Sequence, residues 1–119
     1  MIRKMLAAAA LASGLALLAP SAAFADGAAY SGTLYPGGRQ CVSATGSSAY
    51  VYGTSSFVGV DFTVLFRPDG TTGFNQIDAV RSKSIDRSYS RARTGTFRLC
   101  AQNPTLFYST DVYLSLSTS

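Results

Sequence analysis

The sequence has 119 residues, ten basic and six acidic side chains, a formal net charge of +4 and no histidine. All six acids are Asp, so neither imidazole nor glutamate is available, which speaks against a zinc centre and against a His-based triad. The length is that of one domain.

The first 25 residues differ from the rest. Arg3 and Lys4 form a short positive region, Met5 to Ala19 is an uncharged apolar run, and Pro20-Ser21 breaks it. Ala23-Phe24-Ala25 then places small residues at the positions a signal peptidase reads, so residues 1–25 are expected to be a secretory signal cleaved before Asp26. The run is shorter than the roughly 18 residues that a membrane span requires. No Cys precedes Cys41, which argues against a lipid-modified cysteine at the cleavage site. Without Arg3 and Lys4 the mature chain, 26–119, keeps eight basic residues against six acids, a net of +2. That is not the balance of a nucleic-acid binder.

Apolar residues of the mature chain recur at every second position rather than at three and four, which predicts an all-β domain. Ala28 to Leu34 reads as a first short strand. Tyr35-Pro36-Gly37-Gly38 turns the chain, with Pro presetting φ and Gly accepting a positive value. Arg39 to Ala44 and Ala49 to Gly53 follow as strands, separated by a Thr45 to Ser48 loop. Phe57 to Gly70 carries the longest apolar stripe: Val58, Val60, Phe62, Val64 and Phe66 share one face, and Pro68-Asp69-Gly70 ends the strand. The other strands are expected to pack around it.

Phe74 to Val80 reads as a strand or a loop, and Ser82 to Arg93 as a strand or extended connection in preference to a helical turn. Phe97 to Gln102 is a clear strand with Phe97, Leu99 and Ala101 inward, and Asn103-Pro104 ends it. Leu106 to Ser109 reads as a short strand, and Asp111 to Ser117 alternates again with Val112, Leu114 and Leu116 inward. Seven or eight short strands separated by turn signals predict a small antiparallel β-sandwich.

Cys41 and Cys100 are the only thiols, and an even pair in an exported chain reads as a disulfide. Each lies on the polar face of its predicted strand. The bridge is therefore expected to join neighbouring strands of one sheet on the outer side and to pin an edge strand.

Candidate chemistry is sparse. Ser82 or Ser84 beside Lys83 is better read as a solvated cationic loop than as a nucleophile and base. An Asp69/Asp78 carboxylate pair is better explained by turn chemistry at Asp69. Asp61, Asp69, Asn75, Asp78 and Asp111 are oxygen donors without the spacing of a calcium loop. No catalytic residue, metal ligand or cofactor is predicted. The most distinctive feature is a basic segment: Arg81, Lys83, Arg87, Arg91 and Arg93, five of the eight mature cations, lie within thirteen positions, with Tyr89 among them. Concentrated on one face, with the odd-numbered Arg87, Arg91 and Arg93 together, they would attract an anionic surface such as a cell-envelope polyanion, an acidic lipid or an acidic secreted protein. A solvated charged face is the plainer alternative.

The order of these signals resembles the bacterial pre-peptidase C-terminal domain. Ser31-Gly32-Thr33-Leu34 followed by Pro36-Gly37-Gly38 is similar to its opening hairpin, and Asp61 to Gly70 to its central strand and turn. Thr94 to Leu99 is similar to its Gly-Thr-aromatic strand, and Asp111 to Ser117 to its closing strand. The resemblance implies a secreted, non-catalytic, jelly-roll-like sandwich. The close acidic pairs that bind calcium in collagen-binding relatives are absent, so no calcium site is carried over. Taken together, the residues and the resemblance point to a small secreted binding or accessory module. A secreted inhibitor of a protease or glycosidase is the alternative, with Ser82 to Arg93 or Gln102 to Leu106 as its presented loop.

Overall fold

The computed structural model describes residues 26–119, and the expected signal peptide, 1–25, lies outside the described residues. Six strands follow one another: β1 (Asp26–Leu34), β2 (Arg39–Ser55), β3 (Val60–Pro68), β4 (Asn75–Ser82), β5 (Ser84–Gln102) and β6 (Thr110–Thr118). They hydrogen-bond in the order β1-β6-β2-β5-β3-β4, every pair antiparallel. The result is an all-β, jelly-roll-like sandwich with one disulfide.

The two layers arise because β2 and β5 are long enough to belong to both. Residues 49–55 of β2 pair with β6, which pairs with β1, while 39–46 of β2 and 95–102 of β5 continue into β3 and β4. The ladder between the long strands breaks at one bulge: β2 advances from Gly46 to Ser48 while β5 goes from Gly95 to Ser90. This irregularity flips the inward parity of β2, from Val42 and Ala44 to Ala49 and Val51, so both halves face one core. Gly95 sits at the bend, where a Cβ would run into the Arg67 carbonyl and the Phe66 ring. Only glycine lets the strands approach this closely.

The expected loop at Thr45 to Ser48 is therefore a bulge inside one continuous strand. The segment from Ser82 to Arg93 is mostly strand, and Phe74 to Val80 is largely β4. Leu106 to Ser109, expected as a strand, is not one; the chain from Asn103 to Ser109 is a loop.

The apolar stripe supplies the core as its alternation predicts. Val60, Phe62, Val64 and Phe66 of β3 are buried, as are Phe97, Leu99 and Ala101 of β5 and Val112, Leu114 and Leu116 of β6. A Cβ on Gly53 of one layer would strike the Phe62 ring of the other, which shows how tightly the two inner faces meet. Phe57 and Val58, however, belong to a loop and not to β3. The strands that organise the sheet are β2 and β5, not β3.

Cys41 and Cys100 form the disulfide, S–S 2.05 Å and Cα–Cα 4.0 Å, as directly opposed residues of β2 and β5. The bridge joins neighbouring strands on the side away from the core, as expected. It does not pin an edge: β2 and β5 are interior strands, and the edges are β1 and β4. Cys100 is buried even so, with the Arg39 guanidinium donating towards its sulfur at 3.4 Å.

Candidate functional site

The basic segment is threaded through the molecule, and most of its charge is engaged internally. Arg81 lies on the outer face of β4, opposite Asp61 in register, and its Nε and Nη2 donate to the two carboxylate oxygens at 2.6 and 2.9 Å. Arg87, Arg91 and Arg93 all turn towards the β3–β4 hairpin. Arg87 donates to Asp78 at 2.7 Å, Arg91 lies over the Phe66 ring at 6.0 Å, and Arg93 donates to the Asp69 carbonyl at 3.1 Å. The Tyr89 hydroxyl donates to Asp78 at 2.6 Å. Lys83, in the single-residue link between β4 and β5, makes no side-chain hydrogen bond among the described residues. The cations thus divide between the outer face of β4, the link, and the seam between the layers.

Asp78 is the clamp of that seam. It belongs to β4, the edge strand of one layer, and its partners Arg87 and Tyr89 to the N-terminal half of β5, which pairs with β2 alone and so borders the other layer. The hydrogen bond from Tyr89, then the Arg87 guanidinium, holds its carboxyl below the ordinary carboxylate range. Burial, and after it the bond to Asp78, raises the Tyr89 phenol. Because the folded pKa of Asp78 is the lower one, its contribution is complete above the unfolded value of about 3.9 and is lost as pH falls through the folded pKa. Asp78→Asn should lower stability at neutral pH by about 1 kcal/mol, a modest figure because Arg87 is solvated. It should also flatten the fall in Tm below about pH 4, read from thermal melts across acid pH.

The remaining candidate groups do not converge. Asp69 occupies the β3–β4 turn while Asp78 lies mid-strand opposite Val64. Asp61 is paired with Arg81, and Asp111 accepts from the Thr33 hydroxyl at 2.6 Å. Among the described residues no three His, Cys, Asp or Glu side chains come close enough to hold a metal ion.

What the fold does build is one strand end with an exposed apolar surface. The β1–β2 turn, the 56–59 loop and the 103–109 loop meet there. They present Leu106 and Phe107, 80% and 84% exposed, beside Tyr35, Phe57 and Tyr108, each more than half exposed. Phe57 and Tyr108 stack edge to face, ring centroids 5.5 Å apart.

These loops are held by buried polar side chains. Fully buried Asn103 donates from Nδ2 to the Leu34 and Tyr108 carbonyls at 3.0 and 2.7 Å, and its Oδ1 accepts from Thr105 N and Oγ1. Its own backbone exchanges hydrogen bonds with the glycine turn, from Gly37 N at 3.0 Å and to Gly38 O at 2.9 Å. Gly37 has φ of +77°, the left-handed conformation that glycine adopts without strain. Thr110 Oγ1 accepts from Phe57 N at 3.0 Å and bonds Ser55 Oγ, which donates to the Val58 carbonyl. Every loop at this end is thus tied to a strand, and its large apolar side chains face solvent on a fixed frame.

Sequence reasoning placed Leu106 at the border of a candidate loop and missed Phe57, Phe107, Tyr108 and Tyr35 as a group. One signal was available: Leu106-Phe107-Tyr108 is a consecutive run, which a half-buried strand cannot place on one face.

No family model matches the sequence, and no curated protein is significantly similar to it. Among solved structures, the chain is similar to the Yersinia pseudotuberculosis-derived mitogen, with a TM-score of 0.52 and 16% identity, covering 80% of this chain and 86% of that one. At this identity the likeness shows the fold, a small β-sandwich, and nothing of activity.

Proposed function

We propose that this is a secreted, non-enzymatic binding module that docks through the strand end bearing Tyr35, Phe57, Leu106, Phe107 and Tyr108. The observation that carries this reading is that large apolar side chains are exposed on loops held from beneath by buried Asn103 and Thr110. An exposed apolar surface weakens solubility, and a rigid one loses little entropy when a partner covers it. The resemblance to the pre-peptidase C-terminal domain supports the same class of role. The basic segment offers less than its sequence suggests, since Arg81 and Arg87 are in ion pairs.

The test is retention of the purified protein on washed envelopes of the producing cells. Leu106→Ser/Phe107→Ser should reduce retention at least tenfold, given about 1.5–3 kcal/mol for each such side chain when buried. Arg91→Ser/Arg93→Ser, on the side of the β3–β4 hairpin, should change it little. The reverse pattern would move the docking surface to the basic segment, and indifference to both would overturn the proposal.

A second reading, a secreted inhibitor of a protease or glycosidase, is favoured by one feature. The 103–109 loop starts three residues after Cys100 and is ordered by Asn103, as a rigid inhibitory loop requires. Stoichiometric inhibition in a panel of secreted hydrolases would establish it.

A further inference from the structure

We propose that the occupant of this strand end is the interfacial zone of an anionic lipid bilayer, into which Leu106 and Phe107 insert; the inference rests on the docking surface proposed above.

The arrangement is graded in the way a bilayer surface is graded. At the tip stand two side chains with no polar atom, Leu106 and Phe107, and they are the most exposed large apolar residues described. Less exposed on the same set of loops are Phe57 and two tyrosines, Tyr35 and Tyr108, whose rings are apolar and whose hydroxyls are polar, the residue type enriched where hydrocarbon meets headgroups. Charges border these loops. Arg39 follows the glycine turn, and Lys83 lies beside the 56–59 loop, its carbonyl accepting from Ser55 N at 2.8 Å. Arg81 is neutralised by Asp61, and Asp111 carries the one further charge at this end. The balance is one net positive charge set back from an apolar tip.

The frame beneath the two side chains is fixed from within the protein. The carbonyls of Leu34, Gly38, Val58, Asn103 and Tyr108 and the amides of Gly37 and Phe57 all have internal partners, so the loops can present Leu106 and Phe107 without large rearrangement.

The chain has no tryptophan, so Phe107→Trp provides a single reporter at the tip and Tyr50→Trp a control on the outer face of the sheet. With vesicles of phosphatidylcholine containing about one-third phosphatidylglycerol, the Phe107→Trp emission should shift to shorter wavelength and the Tyr50→Trp emission should not. The wild-type protein should co-sediment with these vesicles about fivefold more tightly than with phosphatidylcholine alone, the effect of one net charge near an anionic surface. Leu106→Ser/Phe107→Ser should lose at least tenfold on both.

An unshifted Phe107→Trp emission, or equal co-sedimentation of the serine variant, overturns the lipid proposal. If vesicles fail to bind while the serine variant still loses envelope retention, the docking surface stands and its partner is not lipid. If retention is unchanged as well, both readings fall.

Discussion

Cys41→Ser/Cys100→Ser is expected to lose about 4 kcal/mol of unfolding free energy, with Tm falling by about 16 °C or more. The disulfide closes a loop across a sequence separation of 59 residues, and opening that loop returns its closure entropy to the unfolded chain. Against the 5–15 kcal/mol of a typical small domain this is a large share. The location adds to the effect. The bridge joins the two interior strands that carry both layers, and Cys100 is buried, so a serine there places a hydroxyl in a site with little water. Urea titration of the oxidised wild type and the double variant measures the difference. A loss below about 1 kcal/mol would show that the β2–β5 ladder holds these strands without help.

Asn103→Ala is the second large effect. The carboxamide makes four hydrogen bonds, and its removal leaves the Leu34 carbonyl and the Thr105 amide without these partners, while the Tyr108 carbonyl keeps the Thr105 hydroxyl at 2.9 Å. At about 1–3 kcal/mol for each of the two groups left unpaired, the expected loss is about 3 kcal/mol. Asn103→Asp would set a carboxylate oxygen against the Leu34 and Tyr108 carbonyls in a buried site, so it should cost at least as much as Ala. The substitution also separates frame from surface. Leu106 and Phe107 remain, but the loop that fixes them loosens, so envelope retention should fall about tenfold in the folded protein and amides 105–108 should exchange faster. Unchanged exchange would show that Asn103 does not hold the loop.

The two classes of residue differ in how legible they were. Val60, Phe62, Val64 and Phe66 could be assigned to the core from alternation, since the pleat alone decides which side of a strand a residue occupies. The cystine followed from there being only two cysteines, and its outward face from the parity of Val42 and Leu99. The pairing of Arg87 and Tyr89 with Asp78 could not be read in the same way. A cluster of cations looks identical on paper whether it faces water or closes a seam, and only the crossing of β5 from one layer to the other brings Asp78 within reach.

The sequence by itself determined the strand character of this protein, the inward faces of the Phe62, Leu99 and Leu114 strands, the turns at Pro36-Gly37 and Pro68-Gly70 and its single covalent bridge, because each of these depends on neighbours along the chain or on a count. Only the tertiary structure decided that β2 and β5 each span two layers, that the bridge lies between interior strands, and that Leu106-Phe107-Tyr108 stands out in solvent. Those outcomes depend on partners far away in sequence, such as Asn103 with Leu34 and Thr110 with Ser55, 69 and 55 residues apart. No local pattern encodes which distant carbonyl a buried side chain will meet.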